Sequence, residues 1–184
     1  EKVMIYMFLA EGFEETEAIA PLDILRRAEL EIATVGIGRK TVTGSHGISV
    51  VADVMDCEIM PDENCQGIIL PGGMPGTLNL EKSETVDKFI EYAVNNNLVI
   101  GAICAAPSIL GHKGVLNGKK AVCYDGFETQ LFGADVQNTP VCRDGNIITA
   151  VGAGAAYNFG FALAEAFANK DKATKIKDSM KCTL

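Results

Sequence analysis

A chain of 184 residues is long enough to bury a sizeable core, and we expect one domain over residues 1–184. Hydrophobic residues make up 48% and charged residues 22%, and no apolar run approaches the roughly 20 residues of a membrane helix, so we expect no membrane partner. The net charge of −8, without a basic cluster, also disfavours nucleic acid as a partner.

The first half of the chain alternates strand and helix patterns. Residues 3–10 (VMIYMFLA) are almost wholly apolar, which is typical of a strand covered on both faces in a parallel sheet. Residues 14–28 have helical spacing, with acids at the start and arginines at the end, and Pro21 predicts a break or kink. A second strand over 31–37 and a hairpin over 41–53 follow.

The second half continues the alternation. A buried strand ends in glycines at 67–73 (GIILPGG), a helix covers 84–95, and a strand at 98–103 reaches Cys104 before a further helix. The remaining predicted elements are short strands near 120–124, 136–142 and 146–151 and helices at about 155–168 and 171–181. This order predicts an α/β sandwich with a mostly parallel central sheet and right-handed crossovers.

Three apolar strands end in residues that suggest chemistry. The first is followed by AEGFEETE at 10–17, the next by PGGMPG at 71–76, and the third by Cys104. Because parallel strands end at one edge of the sheet, where open α/β sheets form their sites, we expect these tips to lie side by side.

Cys104 stands where a strand gives way to a helix. A residue on such a turn projects its side chain outward, and the helix N-terminus favours an anion, so the thiol would lose its proton more easily. The glycines at 72 and 73 would let backbone N–H groups approach, as an oxyanion hole requires. From the pattern alone two alternatives stay open, since Cys104 could be a small core residue and the glycines a tight turn.

The acids at the start of the first helix also have both a structural and a functional interpretation. Such a cluster is usually solvated, and this is the expectation for at least two of Glu14, Glu15 and Glu17. Helical geometry places Glu14 and Glu17 on one face and Glu15 elsewhere. One buried acid beside a thiolate could stay protonated, and the two groups would then titrate as a coupled pair.

The other cysteines and the histidines form no recognisable metal site. No C-x-x-C pair is present, and neither His46 nor His112 has zinc-ligand spacing, so we predict no metal and no cofactor. Scattered thiols indicate a reducing, cytoplasmic location, and the acidic start does not look like a secretory signal. The six cysteines are Cys57, Cys65, Cys104, Cys123, Cys142 and Cys182.

Four segments together carry a resemblance to a known family. They are AEGFEETE, IILPGG, AICAAP and the late VGAGAAYNFGFAL, in the order and spacing of the DJ-one/ThiJ/PfpI superfamily. The chain resembles the DJ-one and ThiJ branch most, over nearly its whole length.

The resemblance implies a flavodoxin-like three-layer α/β/α sandwich, usually a homodimer that needs no cofactor. It makes Cys104 the reactive nucleophile and places Glu17 against its sulfur. The amides of Gly73 and Ala105, beside Gly72, would form the anion pocket, with Glu14 as a nearby polar residue.

The sequence departs from the family pattern at three positions. Ala105 stands where the peptidase-type branch has a histidine, so peptide hydrolysis is hard to support. Tyr124 occupies the place of a nearby histidine of animal members, and His46 that of an arginine contributed across the dimer. Both are candidate pocket residues, although the sequence alone favours a plain loop histidine beside Gly47 as the interpretation of His46.

The resemblance leaves three functions to compare. The first is a cysteine-dependent stress-response enzyme for reactive carbonyls, a glutathione-independent glyoxalase or a deglycase, with Cys104 as nucleophile and Glu17 as proton shuttle. Its partner would be a small reactive aldehyde or a glycated substrate. The alternative is a redox-sensing chaperone that acts through Cys104 oxidation. A cysteine peptidase ranks below both.

Overall fold

The structure, a computed structural model, describes residues 3–183. In chain order the strands are β1 (Met4–Leu9), β2 (Ile32–Gly36), β3 (Thr41–Thr43), β4 (Ser49–Val51), β5 (Val54–Met55), β6 (Cys65–Leu70), β7 (Val99–Ile103), β8 (Lys120–Ala121), β9 (Asp135–Val136), β10 (Val141–Asp144) and β11 (Ile147–Ala150). The helices are α1 (Glu15–Arg27), α2 (Gly76–Glu81), α3 (Glu84–Asn95), α4 (Pro107–His112), α5 (Ala156–Phe167) and α6 (Lys170–Ser179).

Seven strands form the central sheet in the order β10-β11-β7-β6-β1-β2-β5. Every neighbouring pair is parallel except β10 with β11, which form an antiparallel edge. Two short sheets lie outside it, the β3–β4 hairpin and the β8–β9 pair. The predicted α/β sandwich with a mostly parallel sheet is confirmed.

The core lies on both faces of this sheet because successive side chains of a strand point to opposite sides. In β1, Ile5 and Met7 pack in a cluster with α1, α5 and α6. Phe8 packs on the other face, in a cluster with α3 and α4, where its ring meets the Phe89 ring edge-on with the ring centres 5.1 Å apart. Strands with two covered faces explain the wholly apolar runs of the sequence.

Several boundaries differ from the predictions. Helix α1 runs through Pro21 without a break, although a proline inside a helix removes one backbone hydrogen bond. Its buried face packs against α5 so closely that a side-chain carbon at Gly160 would lie 3.1 Å from the Pro21 Cα atom. This packing holds the helix together across the proline. The predicted strands near 120–124 and 136–142 are shorter and displaced, and the α2 helix has no counterpart in the predictions.

The order of the strands brings four loops together. Strands β11, β7, β6 and β1 are neighbours, and their carboxyl ends lead to Ala153, Cys104, Gly72 and α1. The chain proceeds from β1 to β2 in one direction and from β6 to β7 in the other, so the β1–β6 boundary is a topological switch point, the usual place of a site. No helix within residues 3–183 has the length and apolar character to cross a membrane.

Candidate active site

Cys104 occupies a strained turn directly after β7. Its φ of 65° lies in the left-handed region that non-glycine residues rarely adopt. Two backbone hydrogen bonds hold Cys104 in this conformation. The Cys104 N–H donates to the Ala150 carbonyl at 2.8 Å, and the Cys104 carbonyl accepts from the Tyr124 N–H at 2.9 Å. The side chain is half-buried. The geometry favours a presented sulfur over a simple core residue, since a strained conformation persists only where neighbours enforce it.

Glu17 lies beside this sulfur, in the first turn of α1. The residue is 1% exposed, and its carboxyl group hydrogen-bonds to the Cys104 thiol. One carboxyl oxygen also accepts from the Gly72 N–H at 3.0 Å, and the Ala153 N–H is a further donor. Glu14 caps the helix by accepting from the Glu17 N–H at 2.8 Å. The expected association of Cys104 with Glu17 is therefore present in the structure.

The turn after β6 admits only glycine at two positions. A side-chain carbon at Gly72 would lie 2.6 Å from the Cys104 Cβ atom and 2.6 Å from a Glu17 carboxyl oxygen. Gly73 has a φ of 91°, and a side-chain carbon there would collide with the Glu14 backbone. Glycine thus lets the β6 turn approach both reactive groups. The N–H groups of Gly73 and Ala105 donate hydrogen bonds to the Cys104 sulfur, whereas the Gly72 N–H donates to the Glu17 carboxyl group.

Burial changes the proton affinities of both reactive groups. Burial and the negative charge of Glu14 raise the pKa of Glu17. The hydrogen bonds from Cys104, Gly72 and Ala153 lower it, but burial is the larger effect and the pKa is about 7. Burial and the negative charge of Glu17 raise the pKa of the Cys104 thiol to about 12, although the N–H groups of Gly73 and Ala105 act in the opposite direction. The expectation that the turn alone lowers the thiol pKa is therefore wrong. The thiolate becomes accessible when Glu17 takes the proton, so the two groups share one proton as a coupled pair.

Glu15 is buried as well, which corrects the expectation that two of the three acids are solvated. It is 6% exposed and accepts from the His46 N–H at 2.8 Å, the Ile48 N–H at 3.3 Å and the His46 Nδ1 atom at 3.0 Å. Gly44 makes room for its carboxyl group, because a side-chain carbon there would collide with it. Burial raises the pKa of Glu15, but these hydrogen bonds outweigh it and the net pKa is lowered.

His46, the partner of Glu15, is exposed at the surface. Its Nδ1 atom lies 3.0 Å from a Glu15 oxygen and 3.7 Å from a Glu14 oxygen, and its pKa is raised mainly by the hydrogen bond with Glu15. One potential ligand atom from each of Glu14, Glu15 and His46 lies within 4.8 Å of the others. The ion pair accounts for this arrangement without a metal, so we assign none.

Tyr124 lies at the mouth of the site and is 53% exposed. Its ring packs on Gly152, where a side-chain carbon would lie 3.3 Å from the ring and 3.9 Å from a Glu17 oxygen. The structure thus places the glycine-rich segment after β11 between Tyr124 and Glu17. The sequence analysis uses this segment only for the family resemblance and does not predict that the Ala153 N–H donates to Glu17.

Within residues 3–183, the remaining cysteines take no part in the hydrogen bonds of Cys104 and Glu17. All six thiols are free, and Cys65, Cys123 and Cys142 are buried while Cys57 is exposed. The buried three act as small apolar residues, as the sequence predicts.

The fold and the site define a class of α/β sandwich proteins in which a strained cysteine turn lies beside a buried acid. The model of the DJ-1/PfpI family matches residues 3–166, and the chain belongs to this family. This is the superfamily that the sequence motifs resemble, and its flavodoxin-like sandwich is the fold of the solved relatives.

Individual relatives agree with the family assignment. Protein dj-1beta of Drosophila melanogaster is 33% identical over 92% of this chain and 92% of its own. A deglycase of Pyrococcus horikoshii is 32% identical over 79% of this chain and 89% of its own. The structure of oxidized Toxoplasma gondii DJ-1 is 32% identical with a TM-score of 0.94, covering 99% of this chain and 100% of its own.

Proposed function

We propose that the protein removes reactive carbonyls without glutathione, as a glyoxalase or a deglycase, with Cys104 as nucleophile and Glu17 as proton shuttle. The observation that carries the proposal is the hydrogen bond between the Cys104 thiol and a buried carboxyl group whose pKa is about 7. An acid with a pKa near neutrality can both take and return a proton at physiological pH. Kinship with the DJ-1/PfpI family supports a DJ-1-type stress-response function, and the relatives named as deglycases support a carbonyl or glycated substrate.

The first chemical step forms a bond between sulfur and the substrate. The thiol proton passes to Glu17, and the thiolate attacks the aldehyde carbon of a 2-oxoaldehyde such as methylglyoxal. The carbonyl oxygen becomes an alkoxide and takes the proton from Glu17, giving a hemithioacetal and leaving Glu17 as a carboxylate. The N–H groups of Gly73 and Ala105, which lie against the sulfur, are the proposed donors to this developing negative charge.

The second step moves hydrogen between adjacent carbons. Glu17, as a carboxylate, takes the proton from the carbon bonded to sulfur, and the resulting enediol is protonated at the neighbouring carbon. The product is a thioester of lactate on Cys104, which water hydrolyses to release lactate and restore the thiol. One methylglyoxal and one water thus give one lactate, with no external oxidant or cofactor. In a deglycase reaction the Cys104 thiolate would displace the amine or thiol from the carbinol carbon of a hemiaminal or hemithioacetal adduct. The departing group would take the proton held by Glu17, which leaves the same hemithioacetal on Cys104.

Purified protein is expected to convert methylglyoxal into lactate in a buffer without glutathione. Enantiomer-specific lactate dehydrogenases would measure the product, and the loss of the aldehyde would be followed in parallel. Removal of metals with a chelator should not change the rate. Failure to form lactate, or formation only after glutathione is added, would contradict the proposed function.

A redox-sensing chaperone is the second candidate, and two observations favour it. The similar Toxoplasma gondii structure is of an oxidized DJ-1. In this chain the Cys104 sulfur has the N–H groups of Gly73 and Ala105 and the carboxyl group of Glu17 around it, which are the donors that a sulfinate would require when Glu17 is protonated. Oxidation would then alter the charge of the site.

Mild peroxide is expected to oxidise Cys104 to the sulfinate before the other cysteines. Peptide mass spectrometry across a peroxide titration would give the extent of oxidation at each position. Cys57, the exposed thiol, provides the internal comparison, because it lacks the surrounding donors of the site. Equal oxidation of Cys57 and Cys104 would count against redox sensing.

A peptidase remains the weakest of the three proposals. His46 is held by Glu15, and His112 lies beside Glu81, so the two histidines are engaged elsewhere and neither is hydrogen-bonded to Cys104 in residues 3–183. The family resemblance further predicts a homodimer and a cytoplasmic location, and both stay predictions for this chain.

A further inference from the structure

We infer that Glu14 is a positioning residue whose negative charge drives the shared proton from Cys104 towards Glu17, and that His46 opposes this effect from the surface. The inference rests on the proposed Cys104–Glu17 pair and adds to it a second layer of charge control. It makes His46 a second group of the site, besides Glu17, through which the reactivity of Cys104 depends on pH.

Glu14 and Glu17 are joined in a closed ring of hydrogen bonds. A Glu14 oxygen accepts from the Glu17 N–H at 2.8 Å, and the Glu14 N–H donates to the Gly72 carbonyl at 2.9 Å. The Gly72 N–H completes the ring by donating to the Glu17 carboxyl group at 3.0 Å. Glu14 is therefore fixed relative to both Glu17 and the β6 turn, so its charge acts at a constant position.

The charge of Glu14 acts unequally on the two members of the pair. It raises the pKa of Glu17, whereas the charge that raises the pKa of Cys104 is that of Glu17. A negative charge nearer to Glu17 penalises the Glu17 carboxylate more than the Cys104 thiolate. With one proton on the pair, Glu14 thus favours the form in which Glu17 is protonated and the sulfur is a thiolate.

His46 supplies a charge of opposite sign. Its Nδ1 atom lies 3.7 Å from a Glu14 oxygen and 3.0 Å from a Glu15 oxygen, and its ring is exposed. Below its raised pKa the imidazolium offsets the carboxylates beside it, which weakens the repulsion felt by Glu17. The other groups that face Glu17 are the Cys104 thiol after β7 and the N–H groups of Gly72 and Ala153, and the Tyr124 ring lies behind Gly152.

The test follows alkylation of Cys104 by iodoacetamide as a function of pH, with the site identified by mass spectrometry. Wild-type reactivity should rise through a midpoint near the pKa of Glu17, about 7, to a plateau set by the thiolate fraction. In Glu14→Gln, which keeps an oxygen to cap the helix, we expect the midpoint to fall by about half a pH unit or more and the plateau to drop. In His46→Gln we expect the midpoint to rise, because the imidazolium no longer offsets the carboxylates, whereas the plateau above the pKa of His46 should match wild type.

Opposite shifts in the two variants are the distinguishing result, since damage to the structure would not give paired changes of opposite sign. Glu14→Asp should return the profile towards wild type because it keeps the charge. Asp23→Asn is the matched control, since it removes one negative charge from an exposed pair elsewhere on α1 and should leave the profile unchanged.

Two further outcomes separate this inference from the proposed function. If both variants follow the wild-type profile while methylglyoxal is still converted, the inference is wrong and the function stands. If no lactate forms but the profiles shift in opposite directions, charge control of the pair stands and the proposed reaction does not.

Discussion

Cys104→Ala is expected to lower the rate of lactate formation by roughly three orders of magnitude or more, because no covalent intermediate can form without the sulfur. Cys104→Ser should be equally inactive, since a serine hydroxyl does not give its proton to a carboxyl group whose pKa is about 7. The measurement is the initial rate at saturating and at low methylglyoxal. Cys57→Ala, which removes an exposed thiol outside the site, is the control and should keep the wild-type rate.

The strain at Cys104 offers an independent check on the same position. Its φ of 65° is one that glycine adopts without cost, so Cys104→Gly should be more stable than Cys104→Ala by about 1 kcal/mol. Both would be inactive, and chemical denaturation would measure the difference. A Cys104→Ala protein that keeps wild-type turnover would overturn the proposed mechanism.

Glu17→Gln is expected to have the second largest effect, a fall in turnover of roughly 10² to 10⁴, which is the usual contribution of a general acid–base group. The amide cannot take the shared proton, so the thiolate becomes harder to form and the hydrogen shift between carbons has no base. Alkylation of Cys104 at neutral pH should slow as well. Turnover within a few-fold of wild type would exclude Glu17 as the proton shuttle.

The same substitution should change how stability depends on pH. Glu17 has a pKa of about 7 in the folded protein against an ordinary value of 4.5, so the folded state binds this proton more tightly than the unfolded chain. Its favourable contribution is complete below about pH 4.5 and is lost as the pH rises through 7. Relative to wild type, Glu17→Gln should therefore gain about 3 kcal/mol in unfolding free energy between pH 4 and pH 8. If the unfolding free energies of wild type and Glu17→Gln change equally between pH 4 and pH 8, folding does not raise the pKa of Glu17.

The predicted elements agree with the structure where the hydrophobic pattern allows only one type of secondary structure. The apolar runs at β1, β6 and β7 are confirmed as strands covered on both faces, and the Cys104 turn follows β7 as expected. Short polar segments were harder, because the pairing of β8 with β9 depends on chain segments that come together only in the fold. The α2 helix was missed since six residues carry too little periodicity to distinguish it from a loop.

The three acids of α1 show where sequence reasoning reached its limit. Helical spacing predicts that Glu15 points away from Glu17, and the structure agrees, since Glu17 faces Cys104 and Glu15 faces His46. The grouping of Glu14 with Glu17 alone is incomplete, because Glu14 is the N-cap residue and also lies with Glu15 beside His46. Helical spacing does not reveal that the β3–β4 hairpin covers Glu15 and supplies His46 as its partner. Local spacing gives direction around a helix axis, whereas burial depends on which other segment packs there.

The sequence by itself determined the family, the sandwich of alternating strands and helices, the place of Cys104 directly after β7, and that of Glu17 in the first turn of the helix that follows β1. These follow from hydrophobic pattern and motif order. Only the tertiary structure decided the proton affinities of that pair. A pKa depends on burial and on charges a few ångströms away, and here Gly72, Glu14 and Cys104 come from three separate parts of the chain. Their proximity is a consequence of strand order, which no local pattern specifies.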